Sequence, residues 1–217
     1  MKSKFNNLIK NYKFSKKSNI LDIASNDGRW SFAAIKAGAA HVIGIEGRYD
    51  FYQMARKNFH DLGVDIDKHQ FLQGDVFDRL KLVDPERCDT VFCLGFLYHT
   101  LRFDELFTQI KLLKPKHLII DTKVSTSSEC SVDIIIEETT PMNALEDAVL
   151  NRTKVAVGFP SVSALVTMLE NYNFVDQQFF PWPEYLAEEP DTESIHQLKI
   201  YDNGSRVTVV CRNADVD

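Results

Sequence analysis

The stretch that decides the fold is NILDIASNDGRWSFAAIKAGAAHVIGIEGR, residues 19–48. An apolar run that carries Asp22 is followed by a tight polar turn, a stretch typical of a helix, and a second apolar run that ends in Glu46. This order predicts a strand, a helix and a second strand. One acid stands at the first turn and another at the tip of the second strand, about two dozen residues later. Such a unit is typical of proteins that hold a nucleoside-containing cofactor, with the second carboxylate on the ribose hydroxyls.

The rest of the chain continues the alternation of strands and helices, which favours a sheet covered on both faces. We therefore predict an α/β fold, Rossmann-like and doubly wound, whose seven-stranded sheet is mostly parallel with an antiparallel C-terminal strand. Tight-turn residues 202–204 directly before the last apolar run favour that antiparallel ending. The strands are expected at 20–24, 41–45, 70–72, 90–94, 117–121, 174–180 and 206–211, and the helices at 29–36, 49–60, 103–113 and 161–171.

Residues 125–157 interrupt this rhythm. Within them, 131–137 is typical of an extra strand and 142–150 of a short helix. The insertion follows the fifth strand, so we expect it to form a substrate cover. The prediction is one domain over residues 1–217, with an N-terminal helical arm at 1–18 and an amphipathic helix within it at 3–12.

Composition limits the classes of partner. The 217 residues carry a net charge of −6, which disfavours a nucleic acid because phosphate binding requires a basic face. The first seventeen residues hold six lysines and no acid, and we interpret them as a solvated terminus rather than a binding patch. No run of eighteen apolar residues predicts a membrane span, and no apolar stretch follows the basic start as in a secretory signal.

Cysteines and histidines indicate neither disulfides nor a metal site. The four cysteines form no CxxC pair, and Cys88, Cys93 and Cys211 lie in or beside apolar runs, as reduced core residues do. The histidines show no HxH or HExxH pattern. A cytoplasmic location without a metal cofactor is therefore expected.

Four groups of residues follow successive strands, and ligands of such sheets bind at the carboxyl edge. Small or polar residues after Asp22 let the backbone approach a ligand, and the helix that follows directs its amides at it. An acid at the tip of strand two can accept from both ribose hydroxyls. The acid after strand three can accept from an adenine amine, with the next amide donating to a ring nitrogen. The predicted cofactor-binding set is Asp22, Ala24, Ser25, Asn26, Gly28, Arg29, Glu46, Gly47, Asp75, Val76, Leu94 and Gly95.

Each assignment has a structural alternative. For the first loop the alternative is an ordinary turn between strand and helix, for Glu46 a solvated acid, and for Asp75 the cap of the next helix. After strand four, Tyr98 and His99 are candidates for the reacting centre. The alternatives for them are a core aromatic and a structural histidine bonded to a loop carbonyl.

The motif Asp22-x-Ala24-x-Asn26-x-Gly28 resembles the acid-and-glycine signature of class I S-adenosylmethionine-dependent methyltransferases, with Ala24 and Asn26 in place of two usual glycines. The resemblance covers residues 19–121 and 156–211. It implies that Asp22 and its loop hold the methionine end of the cofactor, Glu46 the ribose and Asp75 the adenine. TVFCLGFLYHTLRFDEL and GFPSVSALVTMLENYNF further resemble the tRNA wobble-uridine carboxymethyltransferase branch.

The function expected from this resemblance is direct SN2 transfer of a methyl group to a small molecule. His99 is the first candidate for a general base, Asp121 the second, and Tyr98 would orient the substrate. The other carboxylate-binding residues of the tRNA branch find no counterpart in the sequence, so plain methyl transfer is preferred. The alternatives are a tRNA-modifying (carboxy)methyltransferase, a non-catalytic cofactor-binding scaffold and an NAD-dependent oxidoreductase, although ASNDGR substitutes poorly for G-x-G-x-x-G. A second copy of the chain is a candidate partner, as a homodimer.

Overall fold

The sheet has a parallel part followed by an antiparallel end. In the computed structural model, residues 18–139, 153–187 and 199–216 are described. The strands among them are β1 (Asn19–Ile23), β2 (His41–Glu46), β3 (His69–Gln73), β4 (Thr90–Leu94), β5 (His117–Lys123), β6 (Val132–Glu138), β7 (Lys154–Pro160), β8 (Phe174–Phe179) and β9 (Arg206–Asn213).

Seven of these strands form one sheet in the order β3-β2-β1-β4-β5-β9-β8, and β6 and β7 form a separate pair. The first five run parallel, whereas β9 is antiparallel to both of its neighbours. The prediction of a mostly parallel, Rossmann-like sheet with an antiparallel C-terminal strand is confirmed. Because β2, β1 and β4 are parallel neighbours, their carboxyl ends lie at one edge of the sheet, where the strand order also reverses.

Helices cover both faces of the sheet. On one face, Ala34, Ala55 and Phe59 pack against apolar residues of β1, β2 and β4. On the other, Phe77, Phe107 and further apolar residues of three helices pack on the opposite side of the same strands. Strands buried on both faces are apolar throughout, which explains their visibility in the sequence. The helices are α1 (Arg29–Ala37), α2 (Tyr49–Asp61), α3 (Val76–Leu80), α4 (Phe103–Leu112), α5 (Val162–Asn171), α6 (Trp182–Ala187) and α7 (Lys199–Asp202).

Several boundaries differ from the sequence-based expectation. β1 begins and ends one residue early, β2 continues through Glu46, and β5 continues through Lys123. The strand β7 and the short helices α6 and α7 were not predicted. β7 forms its ladder with β6 alone among the described strands, so its pairing partner, rather than its own sequence, determines that it is a strand. The helices expected at 3–12 and 142–150 lie outside the described residues.

The hairpin of β6 and β7, which we call the insertion hairpin, lies beside the segment after β4. Its strands pair from Val132 opposite Pro160 to Glu138 opposite Lys154. The ring of Phe159 meets Tyr98 edge-on, with centroids 5.8 Å apart. Gly158 packs so closely that a Cβ there would lie 2.8 Å from Leu101. The hairpin is therefore packed onto the segment that carries Tyr98 and His99.

Cys88, Cys93 and Cys211 are buried free thiols, as predicted. Within the described parts of the chain, no helix is long and apolar enough to cross a membrane, and no group of three or more potential metal ligands occurs.

Candidate active site

The loop between β1 and α1 carries three residues with left-handed backbone conformation. Ala24 has φ 54°, Asn26 φ 53° and Gly28 φ 80°. A Cβ at Gly28 would meet the rings of Phe59 and Phe71 at 3.1 to 3.2 Å, so the turn is tight on its buried side. The loop is joined to β2 because the Ser25 amide donates to the Ile45 carbonyl at 2.8 Å.

Glu46 is the centre of the loop's hydrogen bonds. Its side chain is 2% exposed, and Oε2 accepts from the Asn26 amide at 2.8 Å. Oε1 accepts from the Arg48 amide at 2.8 Å and from Arg48 Nε at 3.1 Å. A carboxylate offers about four acceptor positions. The structure thus places Glu46 at the tip of β2, facing the first loop, rather than in solvent.

Asp22 is buried behind the same loop. It is 1% exposed and accepts a hydrogen bond from the Ser31 hydroxyl at 2.7 Å. Burial is the main cause that raises the pKa of Asp22 to about 7, and the neighbouring charge of Glu46 adds to it. A cation beside Asp22 would favour its ionised form.

The third strand end lies against the second. The Gly74 amide donates to the Glu46 carbonyl at 3.0 Å, and Gln73 Nε2 donates to the Gly47 carbonyl at 3.0 Å. Asp75 is exposed and accepts through Oδ1 from the amides of Phe77 and Asp78. It therefore caps α3, the structural alternative named for it, while Oδ2 makes no hydrogen bond with the described residues. Val76 is buried at the start of α3.

Arg29 does not stand free to meet a ligand carboxylate. Its guanidinium donates to both oxygens of Asp27, at 2.8 and 2.9 Å, and its side chain is 58% exposed. The role expected for Arg29 would require this pair to open.

The fourth strand end lies beside the fifth. Leu94 is half-buried opposite Asp121, and the Gly95 amide donates to the Asp121 carbonyl at 2.8 Å. The Asp121 carboxylate accepts from Arg206 Nε at 2.6 Å, from the Thr208 hydroxyl at 2.6 Å and from the Tyr201 hydroxyl at 2.9 Å. Both oxygens of this buried carboxylate are occupied by these donors, so the geometry does not favour Asp121 as a base.

Tyr98 and His99 lie under the insertion hairpin. Tyr98 is 8% exposed, and the cations of Lys123 and Arg206 lie 4.9 and 5.4 Å from its ring centroid. His99 Nδ1 lies 3.3 Å from Oε2 of Glu137 on β6, outside hydrogen-bond angles, and both atoms are buried without another partner among the described residues. Burial is the main cause that lowers the pKa of His99. No described loop carbonyl accepts from His99, unlike the structural role considered for it.

Sequence reasoning did not nominate Arg48, Lys123, Glu137 or Arg206 at this edge. Arg48 follows Glu46 by two residues and was visible only as part of the quoted stretch. The others come from β5, β6 and β9, and no local motif connects them.

The residues of the first loop fit an adenosyl amino-acid cofactor. Ser25 Oγ is buried and has no hydrogen-bond partner among the described residues, so it is an orphaned polar atom beside the loop. A Cβ at Gly44 would lie 2.8 Å from this atom, so the strand beneath the loop has no room for a side chain at this position. Glu46, Asp22 and this hydroxyl together provide acceptors and a donor at one strand edge, as ribose hydroxyls and an amino-acid end require.

Comparison with known proteins gives a family match and a curated relative. Residues 14–179 match the methyltransferase-domain family. A tRNA U34 carboxymethyltransferase of Helicobacter pylori (strain HPAG1) is 26% identical over 174 residues, which cover 77% of this chain and 60% of that protein. The chain thus spans less than two thirds of the length of this curated relative.

Two solved structures share the fold. The N-terminal domain of EvdMO1, crystallised in the presence of SAH and D-fucose, superposes with a TM-score of 0.62 at 18% identity and covers 96% of this chain and 82% of its own. Geranyl diphosphate methyltransferase in complex with SAM has a TM-score of 0.65 at 11% identity and covers 97% and 84%. Since the family match spans most of the chain, this protein belongs to the methyltransferase-domain family.

Proposed function

We propose that this protein methylates a small molecule at the edge formed by the carboxyl ends of β1, β2 and β4. When bound, S-adenosylmethionine supplies an electrophilic methyl group, so the chain's main tasks are to align the acceptor and to exclude water. Positioning of this kind contributes roughly 7–11 kcal/mol in favourable cases.

The observation that carries the proposal is the position of Glu46. Its carboxylate already meets two backbone amides, which fix its direction at the strand tip. One acceptor position of the carboxylate is left, and the Arg48 Nε contact, the longest of its three hydrogen bonds, is the one that a second ribose hydroxyl would replace. Asp22 and the first loop, through the unpartnered Ser25 hydroxyl, would hold the methionine end, and Asp75 Oδ2 the adenine amine.

The acceptor would bind between Gly95, Tyr98 and the insertion hairpin. This assignment gives residues 125–157 the role of a substrate cover, since Glu137 on β6 contacts His99 and the paired strand β7 packs on the segment after β4 through Gly158 and Phe159. Exposed or partly buried acids on β6, namely Asp133, Glu137 and Glu138, make this side unfavourable for phosphates, which supports a small molecule over a nucleic acid.

Calorimetry with S-adenosylhomocysteine tests the cofactor assignment. We expect wild-type protein to bind it and Glu46→Ala to bind about 100-fold more weakly or worse, since charged hydrogen bonds are worth about 1.5–3 kcal/mol each. Asp50→Ala removes an exposed acid at the start of α2 and is the matched control, with affinity near that of wild type. Absence of binding by wild type, or equal affinity of the two variants, would reject the assignment.

Modification of tRNA is the second candidate, favoured by the similarity to the U34 carboxymethyltransferase. Incubation with methyl-labelled S-adenosylmethionine and either bulk tRNA or a small-molecule extract separates the two. Label in the small-molecule fraction, identified by mass spectrometry, is the expected result. Label only in tRNA would replace the acceptor proposed above, and cofactor binding without label in either fraction would favour a scaffold.

A further inference from the structure

We propose that Glu137 is the positioning residue for a general base, His99, and that the methyl acceptor is a molecule whose accepting atom carries a proton, as a hydroxyl group does. This inference rests on the proposed function and adds the chemical class of its substrate.

The side chains of His99 and Glu137 come from separate elements and are in contact beneath the surface of the protein. His99 lies in the short turn Leu97–His99 after β4, and Glu137 lies on β6 of the insertion hairpin. Their side chains are 21% and 14% exposed, and Nδ1 of the ring lies 3.3 Å from Oε2 of the carboxylate. Neither atom has another hydrogen-bond partner among the described residues. Two buried polar atoms that have only each other call for an explanation, since such atoms normally find partners.

The contact defines which nitrogen is available for chemistry. A carboxylate beside Nδ1 favours a proton on that nitrogen, which leaves the lone pair on Nε2. Nε2 makes no hydrogen bond with the described residues. Angles between catalytic groups are often poor without ligands and improve in the complex, so a 3.3 Å contact is compatible with this role.

Among the described residues, three charged groups influence His99. Glu137 on β6 raises the pKa of the imidazole, while Lys123 on β5 and Arg48 after β2 lower it, and burial, the largest influence, also lowers it. Lys123 Nζ lies 3.9 Å from Oε1 of Glu137, so the carboxylate has one oxygen toward the lysine and one toward the imidazole.

The proton step balances without a further reactant. The acceptor's proton moves to Nε2 of His99, its bonding electron pair stays on the acceptor atom as the nucleophilic pair, and the imidazolium is stabilised by the Glu137 carboxylate. An acceptor that is already ionised at neutral pH, such as a carboxylate, has no need of this pair. The dyad is therefore meaningful only for a protonated acceptor.

Nitrogen NMR of histidine-labelled protein, saturated with S-adenosylhomocysteine, tests the inference. The His99 signal is assigned by its loss in His99→Asn. We expect the neutral ring to carry its proton on Nδ1. Glu137→Gln should lower the midpoint of His99 titration, because an anion is removed, and Lys123→Met should raise it. In Glu137→Leu the neutral ring should also lose its preference for a proton on Nδ1, because no carboxylate is left to accept a hydrogen bond from that nitrogen.

Glu138→Gln is the matched control, since Glu138 is the next residue on β6 and is exposed. It should leave both the tautomer and the midpoint as in wild type. A neutral ring protonated on Nε2, or equal midpoints in Glu137→Gln and Glu138→Gln, would overturn the inference even if the ligand binds. Failure of S-adenosylhomocysteine to bind would instead reject the proposed function, so the two failures are distinguishable.

Discussion

Two parts of the same sheet edge hold their acids by different means. At the ends of β1 and β2, Glu46 is held mainly by backbone amides two and twenty residues away in the chain. At the end of β5, Asp121 is held by side chains 80 to 87 residues away. The first arrangement belongs to one strand–helix–strand unit, whereas the second joins the parallel part of the sheet to the antiparallel end.

This difference predicts different consequences of mutation. A carboxylate bound by amides can exchange one partner for a ligand, because the loop stays attached by its own backbone. A carboxylate that neutralises a buried guanidinium has no such freedom, because loss of the pair leaves an uncompensated charge. We therefore expect the cofactor side to respond mainly in ligand binding and the Asp121 side mainly in stability.

The largest effect is expected from Asp121→Asn. The substitution leaves Arg206, whose side chain is 16% exposed, without its anion and should lower the free energy of unfolding by about 3–5 kcal/mol. Urea denaturation measures it. Asp176→Asn, which removes an exposed partner of Arg212, is the control and should cost less than about 1 kcal/mol. Equal losses would show that Asp121 is not the structural anion described here.

The next effect concerns Asp22 and pH. Its folded pKa of about 7 lies above the ordinary value of 3.8, so the folded state holds a proton that the unfolded state releases earlier. Wild-type stability should therefore fall as pH rises from about 4 to 7, whereas Asp22→Asn carries no such dependence. The free energy of unfolding of the variant, minus that of wild type, should rise by up to about 4 kcal/mol across this window. If urea denaturation gives the same difference in unfolding free energy between Asp22→Asn and wild type at every pH from 4 to 8, the raised pKa is contradicted.

Gly44→Ala tests how tightly the strand lies under the first loop. The new Cβ would lie 2.6 Å from the Phe71 ring and 2.8 Å from Ser25 Oγ. Overpacking should cost about 1–3 kcal/mol of stability and displace the loop, with weaker binding of S-adenosylhomocysteine. Phe71→Leu removes the ring atoms in contact, so the double variant should lose less than the sum of the two single changes. If the stability losses of the two single variants simply add in the double variant, the strain does not come from contact with the Phe71 ring.

The same contrast explains what could be predicted from the sequence. The first unit was visible because its strands are apolar throughout and Asp22 and Glu46 stand at fixed positions in it. The mostly parallel sheet followed from the alternation of elements, and its antiparallel end from the turn residues 202–204. Arg29 was assigned a ligand role, yet it pairs with Asp27, a neighbour two residues away that could have indicated this.

The acceptor side could not be derived in this way. Asp121 was considered as a base because it stands at a strand tip, and nothing local indicates that β9 brings Arg206 and Thr208 to it. Glu137 lies in an insertion whose second strand, β7, was not predicted. Its contact with His99 exists only because the hairpin folds back over the turn after β4, and such long-range packing leaves no spacing in the sequence.

Asp75 gives the smallest expected effect and separates a structural from a binding role on the cofactor side. Asp75→Ala removes the cap of α3 and should cost about 1 kcal/mol, whereas Asp75→Ser keeps a capping oxygen and should preserve stability. If Oδ2 also accepts from the adenine amine, both variants should bind S-adenosylhomocysteine about tenfold more weakly, because both lack the second oxygen. Denaturation and calorimetry on the same two proteins measure the two roles independently. Weaker binding by Asp75→Ala alone would mean that the acid serves the cofactor only through the helix it caps.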